Sequence, residues 1–193
     1  MIRLFVAIDI PDSIKEIVES HYREIQCKFK EKRIRSVKWV DPRLWHITLK
    51  FLGEIPEQKL PMCQKIIEQC GQLHNTLKLR LRHIGCFPGL QRPRVVWAGI
   101  EDNAKCLESM HLFLDKSFES IGIPREQKKF HAHLTFCRIK NSSPCVAGTL
   151  VDILKTGLET PWFEVGYISL YKSKLTPNGP IYTPITRAKL GRQ

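Results

Sequence analysis

Acidic side chains are scarce. The chain carries 19 Asp and Glu against 31 Lys and Arg over 193 residues, a formal charge of +12. Nucleic acid is the usual partner of a basic domain, and a solvated basic face is the other reading. Long apolar runs are also missing. No stretch approaches the roughly 18 apolar residues that cross a bilayer. Arg3 and Asp9 bracket an N-terminal apolar run too short for a secretory core, and no small-residue cleavage site follows it. A soluble, cytoplasmic protein is expected. The seven cysteines, at 27, 63, 70, 86, 106, 137 and 145, form no Cys-x-x-Cys pair. This excludes the usual zinc-knuckle and thioredoxin spacings and predicts free thiols in a reducing compartment. No low-complexity or Ser/Gly-rich linker divides the chain, so one cooperative unit is expected, long enough to bury about 70% of its unfolded surface.

What is present reads as alternating strands and helices. Arg3–Ile10 is a short apolar run with Phe and β-branched residues, hence a buried strand. Pro11-Asp12-Ser13 breaks it, and Ile14, Ile17, Val18, Tyr22 and Ile25 follow at helical spacing. Val37–Val40 is a short extended piece. Leu44–Leu52 is the next strand, ended by Gly53, and Pro56-Glu57 opens a second helix through Cys70. Leu77–Ile84 alternates Leu with Lys and Arg, a half-buried strand, and residues 85–89 read as a loop. The order then repeats: strand Arg94–Ile100, helix Asn103–Ile121, strand Phe130–Cys137, helix Pro144–Leu154 and strand Trp162–Tyr171. Residues 176–180 form a turn before a last edge strand, Ile181–Thr186.

The middle strand of each half holds the same group. His46-Ile47-Thr48-Leu49 and His133-Leu134-Thr135-Phe136 lie 87 residues apart, close to half the chain. This predicts an internal duplication. On a strand, residues i and i+2 share a face. His46 and Thr48 therefore point one way, as do His133 and Thr135, while the apolar neighbours point to the core. A half-buried, hydrogen-bonded histidine beside a strand-favouring threonine is the structural alternative.

Two such strands facing across a groove bracket one site with two imidazoles. Displacement at phosphorus needs a base on the attacking side and an acid on the leaving side. Histidine serves either role because its ordinary pKa is near 6.5. The threonine hydroxyls can donate to non-bridging oxygens. This arrangement calls for no metal or other cofactor. Spacing leaves the two histidines equivalent.

With these motifs in place, the sequence resembles the bacterial and archaeal RNA 2′,3′-cyclic phosphodiesterases, also called 2′-5′ RNA ligases, of the 2H phosphoesterase superfamily. The similarity extends to RLFVAIDIP at 3–11, HITLKFLGE at 46–54, the Gly85-Cys86-Phe87-Pro88 loop, PRVVWAGI at 93–100, FHAHLTFCR at 130–138 and LYKSKLTPNGPIY at 170–182. The resemblance implies an α+β fold over residues 1–193, a single 2H phosphoesterase domain. Its two pseudo-symmetric lobes would have antiparallel-rich sheets lining a central groove, with helices outside. It implies hydrolysis of a 2′,3′-cyclic phosphate to a terminal 2′-phosphate, with reversible 2′-5′ ligation as related chemistry. His133 would be the proton acceptor and His46 the proton donor, with Thr48 and Thr135 binding the phosphate. The implied partner is RNA with a cyclic phosphate end, tRNA fragments among the candidates, and nothing demands more than a monomer. The competing functions are a non-catalytic RNA-end-binding module and a phosphodiesterase for a small cyclic nucleotide.

Two positions keep two readings each. Arg138 matches a family arginine for phosphate but has the wrong strand parity, so a bulge is needed to bring it into the groove. Otherwise it is a surface ion pair. Phe51, at the equivalent offset after His46, is either a base-stacking surface or a core residue. His131 shares the predicted face of His133. It is read as a groove-rim residue in preference to a zinc ligand, since no further ligands are evident.

Overall fold

The structure is a computed structural model that describes residues 1–102, 104–177 and 179–191. Among these residues, four helices and nine strands follow the expected order. They are β1 (Ile2–Asp9), α1 (Asp12–Glu31), β2 (Val37–Trp39), β3 (His46–Ile55), α2 (Leu60–Leu73), β4 (Leu77–Phe87) and β5 (Val95–Asp102). Then come α3 (Cys106–Ser120), β6 (His133–Ile139), α4 (Pro144–Leu154), β7 (Phe163–Val165), β8 (Tyr167–Thr176) and β9 (Gly179–Lys189). No helix among the described residues is long and apolar enough to cross a membrane.

The strands form one curled antiparallel sheet in the order β7-β4-β5-β6-β3-β1-β8-β9, with β2 on β6. It reads as two half-sheets, β3-β1-β8-β9 and β6-β5-β4-β7. They are joined at the two motif strands by a single pair, Ile47 with Leu134. A chain half is not a half-sheet. β4, from the first half, lies beside β5, and β8, from the second half, lies beside β1. Helices α2 and α3 pack on the half-sheet of β3, β8 and β9, and α4 packs on β4. α1 turns Ile14, Val18, Tyr22, Ile25 and Phe29 inward at helical spacing. Tyr22 and Phe29 meet Trp39 edge-on, and Tyr22 also meets Trp45 and Phe136. The helix side of the sheet is thus the core, and its other face is open.

Several boundaries differ from expectation. β3 starts at His46 after a short 3-10 turn (Pro42–Leu44) and runs through Gly53 to Ile55. Gly53 does not end it because its positive φ of 72° is absorbed at a register shift against β1. Residues 85–87 are strand, not loop, and Gly85 pairs with Trp97. The indole lies across this position, where a Cβ would come within 2.3 Å of it. A glycine that reads as a loop signal is here the space for a ring. β6 begins at His133, so Phe130–Ala132 are not strand. Trp162–Tyr171 splits into β7 and the start of β8. The β8–β9 hairpin extends well past both expected strands. Asn103 and Asn178, in the expected third helix and last turn, lie outside the described residues.

Candidate active site

The seam between the half-sheets is where the site forms. Because Ile47 pairs antiparallel with Leu134, the register sets His46 against Thr135 and Thr48 against His133. All four side chains are half-buried on the open face, while Ile47 and Leu134 are wholly buried in the core. The structure therefore brings together His46, Thr48, His133 and Thr135 as expected.

Both imidazoles are fixed in the same tautomer. His46 Nδ1 lies 2.7 Å from the Leu44 carbonyl oxygen, and His133 Nδ1 lies 2.7 Å from the His131 carbonyl oxygen. A carbonyl only accepts, so each Nδ1 carries the proton and donates it. Each Nε2 then faces the open side with its lone pair. The Thr48 hydroxyl is 3.0 Å from His46 Nε2; it donates to the neutral ring and accepts from the protonated one, which frees its own proton for another acceptor.

The surroundings make the two histidines unequal. Burial pushes His46 below the ordinary histidine value. The Leu44 carbonyl and the Asp9 carboxylate pull it back up, and His133 and Arg138 push it down. Burial also lowers His133, where the His131 carbonyl opposes it and the nearby charges of His131 and Arg138 reinforce it. Asp9 pairs with His46 across β1 and β3, whereas His133 has Gly99 as its β5 partner. Among the described residues, His46 alone of the two has a carboxylate neighbour. Asp9 is itself held by the Tyr171 hydroxyl, which donates to it at 2.5 Å, and by Ser169 at 3.5 Å.

Arg138 reaches the site through a bulge. On β5, Val96 pairs with Cys137 and Trp97 with Thr135, so Phe136 has no partner. Phe136 and Cys137 are consecutively buried, and Arg138 returns to the open face with His133 and Thr135. It forms no ion pair among the described residues and acts electrostatically on both histidines and on Tyr182. β3 carries the same device. Val6 pairs with Lys50 and Ala7 with Thr48, which leaves Leu49 unpartnered and turns Phe51 outward. Phe51 is 57% exposed, so it is not a core residue.

Aromatic rings flank each histidine. Phe5 lies 5.0 Å from His46, and Tyr182 meets His46 edge-on at 5.4 Å. On the other side, Phe87 is edge-on to His133 at 5.2 Å. His131 is exposed beside Trp97, 4.7 Å away, at the rim. Sequence reasoning missed Asp9, Tyr171, Tyr182, Phe87 and Trp97. All five fall inside the quoted family-like segments, but their facing depends on register, which only the pairing supplies.

Comparison with known proteins agrees with this fold. A family model described as LigT like phosphoesterase matches residues 8–97 and again 100–182, one match for each half. An Aquifex aeolicus protein named RNA 2′,3′-cyclic phosphodiesterase is 32% identical, covering 99% of this chain and 98% of its own. A Methanocaldococcus jannaschii protein of the same name is 36% identical over 95% and 98%. Among solved structures, TT0787 of Thermus thermophilus superposes with a TM-score of 0.79 at 29% identity, covering 98% of each chain. Escherichia coli LigT complexed with 3′-AMP gives 0.72 at 25% identity, again over 98% of each. Matched in both halves and along nearly its whole length, the chain belongs to the LigT-like phosphoesterase family.

Proposed function

We propose that this protein hydrolyses the 2′,3′-cyclic phosphodiester at RNA ends to a terminal 2′-phosphate, with the two histidines as base and acid. The observation that carries the reading is the pair of Nε2 atoms, each freed by a backbone-held Nδ1, presented from opposite strands of one seam. The names of the relatives support the substrate class.

The geometry favours one division of labour. His46 has the Asp9 carboxylate as a neighbour, which favours its charged form against the burial that lowers it. At His133 burial and the charges of His131 and Arg138 all favour the neutral form, opposed by the His131 carbonyl. Water attacks phosphorus and gives its proton to His133 Nε2. The P–O3′ bond breaks in line, and His46 Nε2 delivers its proton to the departing 3′ oxygen. The products are a 2′-phosphate and a 3′-hydroxyl. Thr48 and Thr135 donate to the non-bridging oxygens, and the Arg138 guanidinium balances the charge that grows there. With an RNA 5′-hydroxyl in place of water, the same steps leave a 2′-5′ linkage. Phe51, exposed at the His133 end where the 5′-hydroxyl enters, provides a face for a base of that incoming strand. Two pseudo-symmetric lobes over residues 1–193 act here as one domain, because each supplies one histidine. The seven free cysteines favour a reducing, cytoplasmic compartment.

The test is a short RNA ending in a 2′,3′-cyclic phosphate, incubated in EDTA with wild type, His46→Ala and His133→Ala. Wild type should release the 2′-phosphate, and each variant should lose at least about two orders of magnitude in rate. Near-normal rates in both variants would sink the proposal. Binding without turnover by wild type would indicate an RNA-end-binding module instead.

A further inference from the structure

Part of the charge excess gathers beside the site, where the two histidines do not explain it. β6 leaves the site through Arg138, with Lys38 of β2 and Val95 of β5 as its register partners. One step further, three segments are tied together. The Lys140 amide donates to the Ser36 carbonyl, the Ile139 amide to the Arg94 carbonyl and the Ser36 hydroxyl to the Asn141 carbonyl. Arg94 also donates from its guanidinium to the Lys140 carbonyl. This sets Arg35, Lys140, Arg94 and Arg92 side by side at one end of the sheet, all exposed. There the surface turns toward the helix side, where a concave pocket of about 370 Å³ lies between Arg92, Arg94 and Asn141 and the start of α4 at Ser143, Pro144 and Ala147. Arg35, Lys38, Arg92, Arg94, Arg138 and Lys140 form no ion pair among the described residues. By contrast, Arg80 and Arg82 of β4 are paired with Glu101 and Glu159.

The antiparallel seam gives this ridge a direction. β3 runs from His46 to Phe51 and β6 runs the opposite way from His133 to Arg138. His46 and Arg138 therefore share one end of the groove, and His133 and Phe51 share the other. In-line displacement puts the departing 3′ oxygen, and the ribose that bears it, on the side of the acid. The rest of the RNA hangs from that ribose.

We propose that the Lys38–Arg138–Lys140–Arg94–Arg92 ridge is the track for the RNA chain 5′ of the reacting end. It binds the phosphates of a single strand as that strand leaves the site at the His46 end. Successive open-face positions on β6 advance about 6.6 Å, and the cations offer charge without side-chain readout of bases, so binding is independent of sequence. The physiological substrate is then an oligomer and not a cyclic mononucleotide. The inference rests on the hydrolytic reading above.

Two charge-matched variants test it: Arg92→Gln with Lys140→Gln on the ridge, and Lys128→Gln with Lys129→Gln at the His133 end. Each is assayed on a 2′,3′-cyclic mononucleotide and on a single-stranded decamer with the same end. The ridge variant should keep wild-type kcat and KM on the mononucleotide and raise KM for the decamer about tenfold. It should also flatten the log–log salt dependence of decamer binding by about 1.4, two contacts at about 0.7 each. The Lys128/Lys129 variant should match wild type on both substrates. Equal losses on both substrates, no change on the decamer, or a larger decamer effect from Lys128/Lys129 would overturn the track. If wild type turns over neither substrate, the hydrolytic reading fails instead. The salt slopes for decamer binding then decide the ridge alone.

Discussion

The two seam histidines have the same local sequence, the same tautomer and the same backbone tether, yet they are not equivalent. One difference lies in the neighbouring strand, Asp9 beside His46 where Gly99 stands beside His133. Both imidazoles are buried enough to titrate below the ordinary histidine value. A working pair needs a pH range in which His133 is neutral and His46 is still charged, and Asp9 widens that range from its upper side. On the proposed division of labour, the basic limb of the kcat/KM profile reports loss of the His46 proton and should move to lower pH in Asp9→Asn. The acid limb, which then reports His133, should stay in place. A full pH–rate profile of both proteins checks this, and an unmoved basic limb would remove Asp9 from the mechanism. The histidines and threonines were legible because a repeated triplet at period two is a sequence signal. Asp9 was not, because its role comes from a cross-strand pairing that no spacing along the chain encodes.

The elements that matter most are two bulges. At the last residue of each motif (Leu49 or Phe136) the strand slips out of register, and the following side chains change face. The sequence posed this as a parity conflict at Arg138, and the bulge resolves it. The same step on β3 buries Lys50 completely. Its ammonium bonds Asp115 of α3 and the Pro124 carbonyl, and Asp115 also accepts from the Glu126 amide. His111, one turn earlier on α3, donates from Nδ1 to the Leu49 carbonyl at 2.8 Å. That carbonyl only accepts, and it belongs to the residue the bulge expels from the ladder. Burial alone would raise the Asp115 carboxyl, but the Lys50 bond and the Glu126 amide hold it low. Asp115→Ala leaves the buried ammonium with the Pro124 carbonyl but without its counter-charge and should cost about 3 kcal/mol, read as a lower urea midpoint. A midpoint within error of wild type would mean that Lys50 finds another partner. None of this was legible beforehand, because a lysine in a strand pattern reads as solvated and only the bulge makes it internal.

For the whole molecule, the depressed histidines tie stability to acidity. His46, His131 and His133 all lie below the ordinary value, chiefly through burial. The folded state therefore binds fewer protons than the unfolded chain, whose histidines titrate near 6.5. Stability from these groups is complete above that value and is lost as pH falls below it toward the folded values. Urea unfolding at pH 7.5 and pH 5.5 should show the lower midpoint at pH 5.5, with part of the difference removed in His133→Gln. Element order and the paired motifs were readable over most of the chain because strands and helices alternate with clear periodicity. The joining of the half-sheets and the exchange of strands between halves were not, since periodicity says nothing about which strand lies beside which.

That exchange has a consequence for how such a chain comes apart. A cut in the loop between Phe87 and Val95 would separate the repeats cleanly in sequence but not in space. The first fragment would keep β1 and β3 but lose β8, the neighbour of β1, and its own β4 would be left without β5. Each fragment would expose sheet edges that only the other can cover. The intact chain thus resembles two interlocked halves of a strand-swapped pair made permanent by a tether, with the shared histidine seam formed only when both are present.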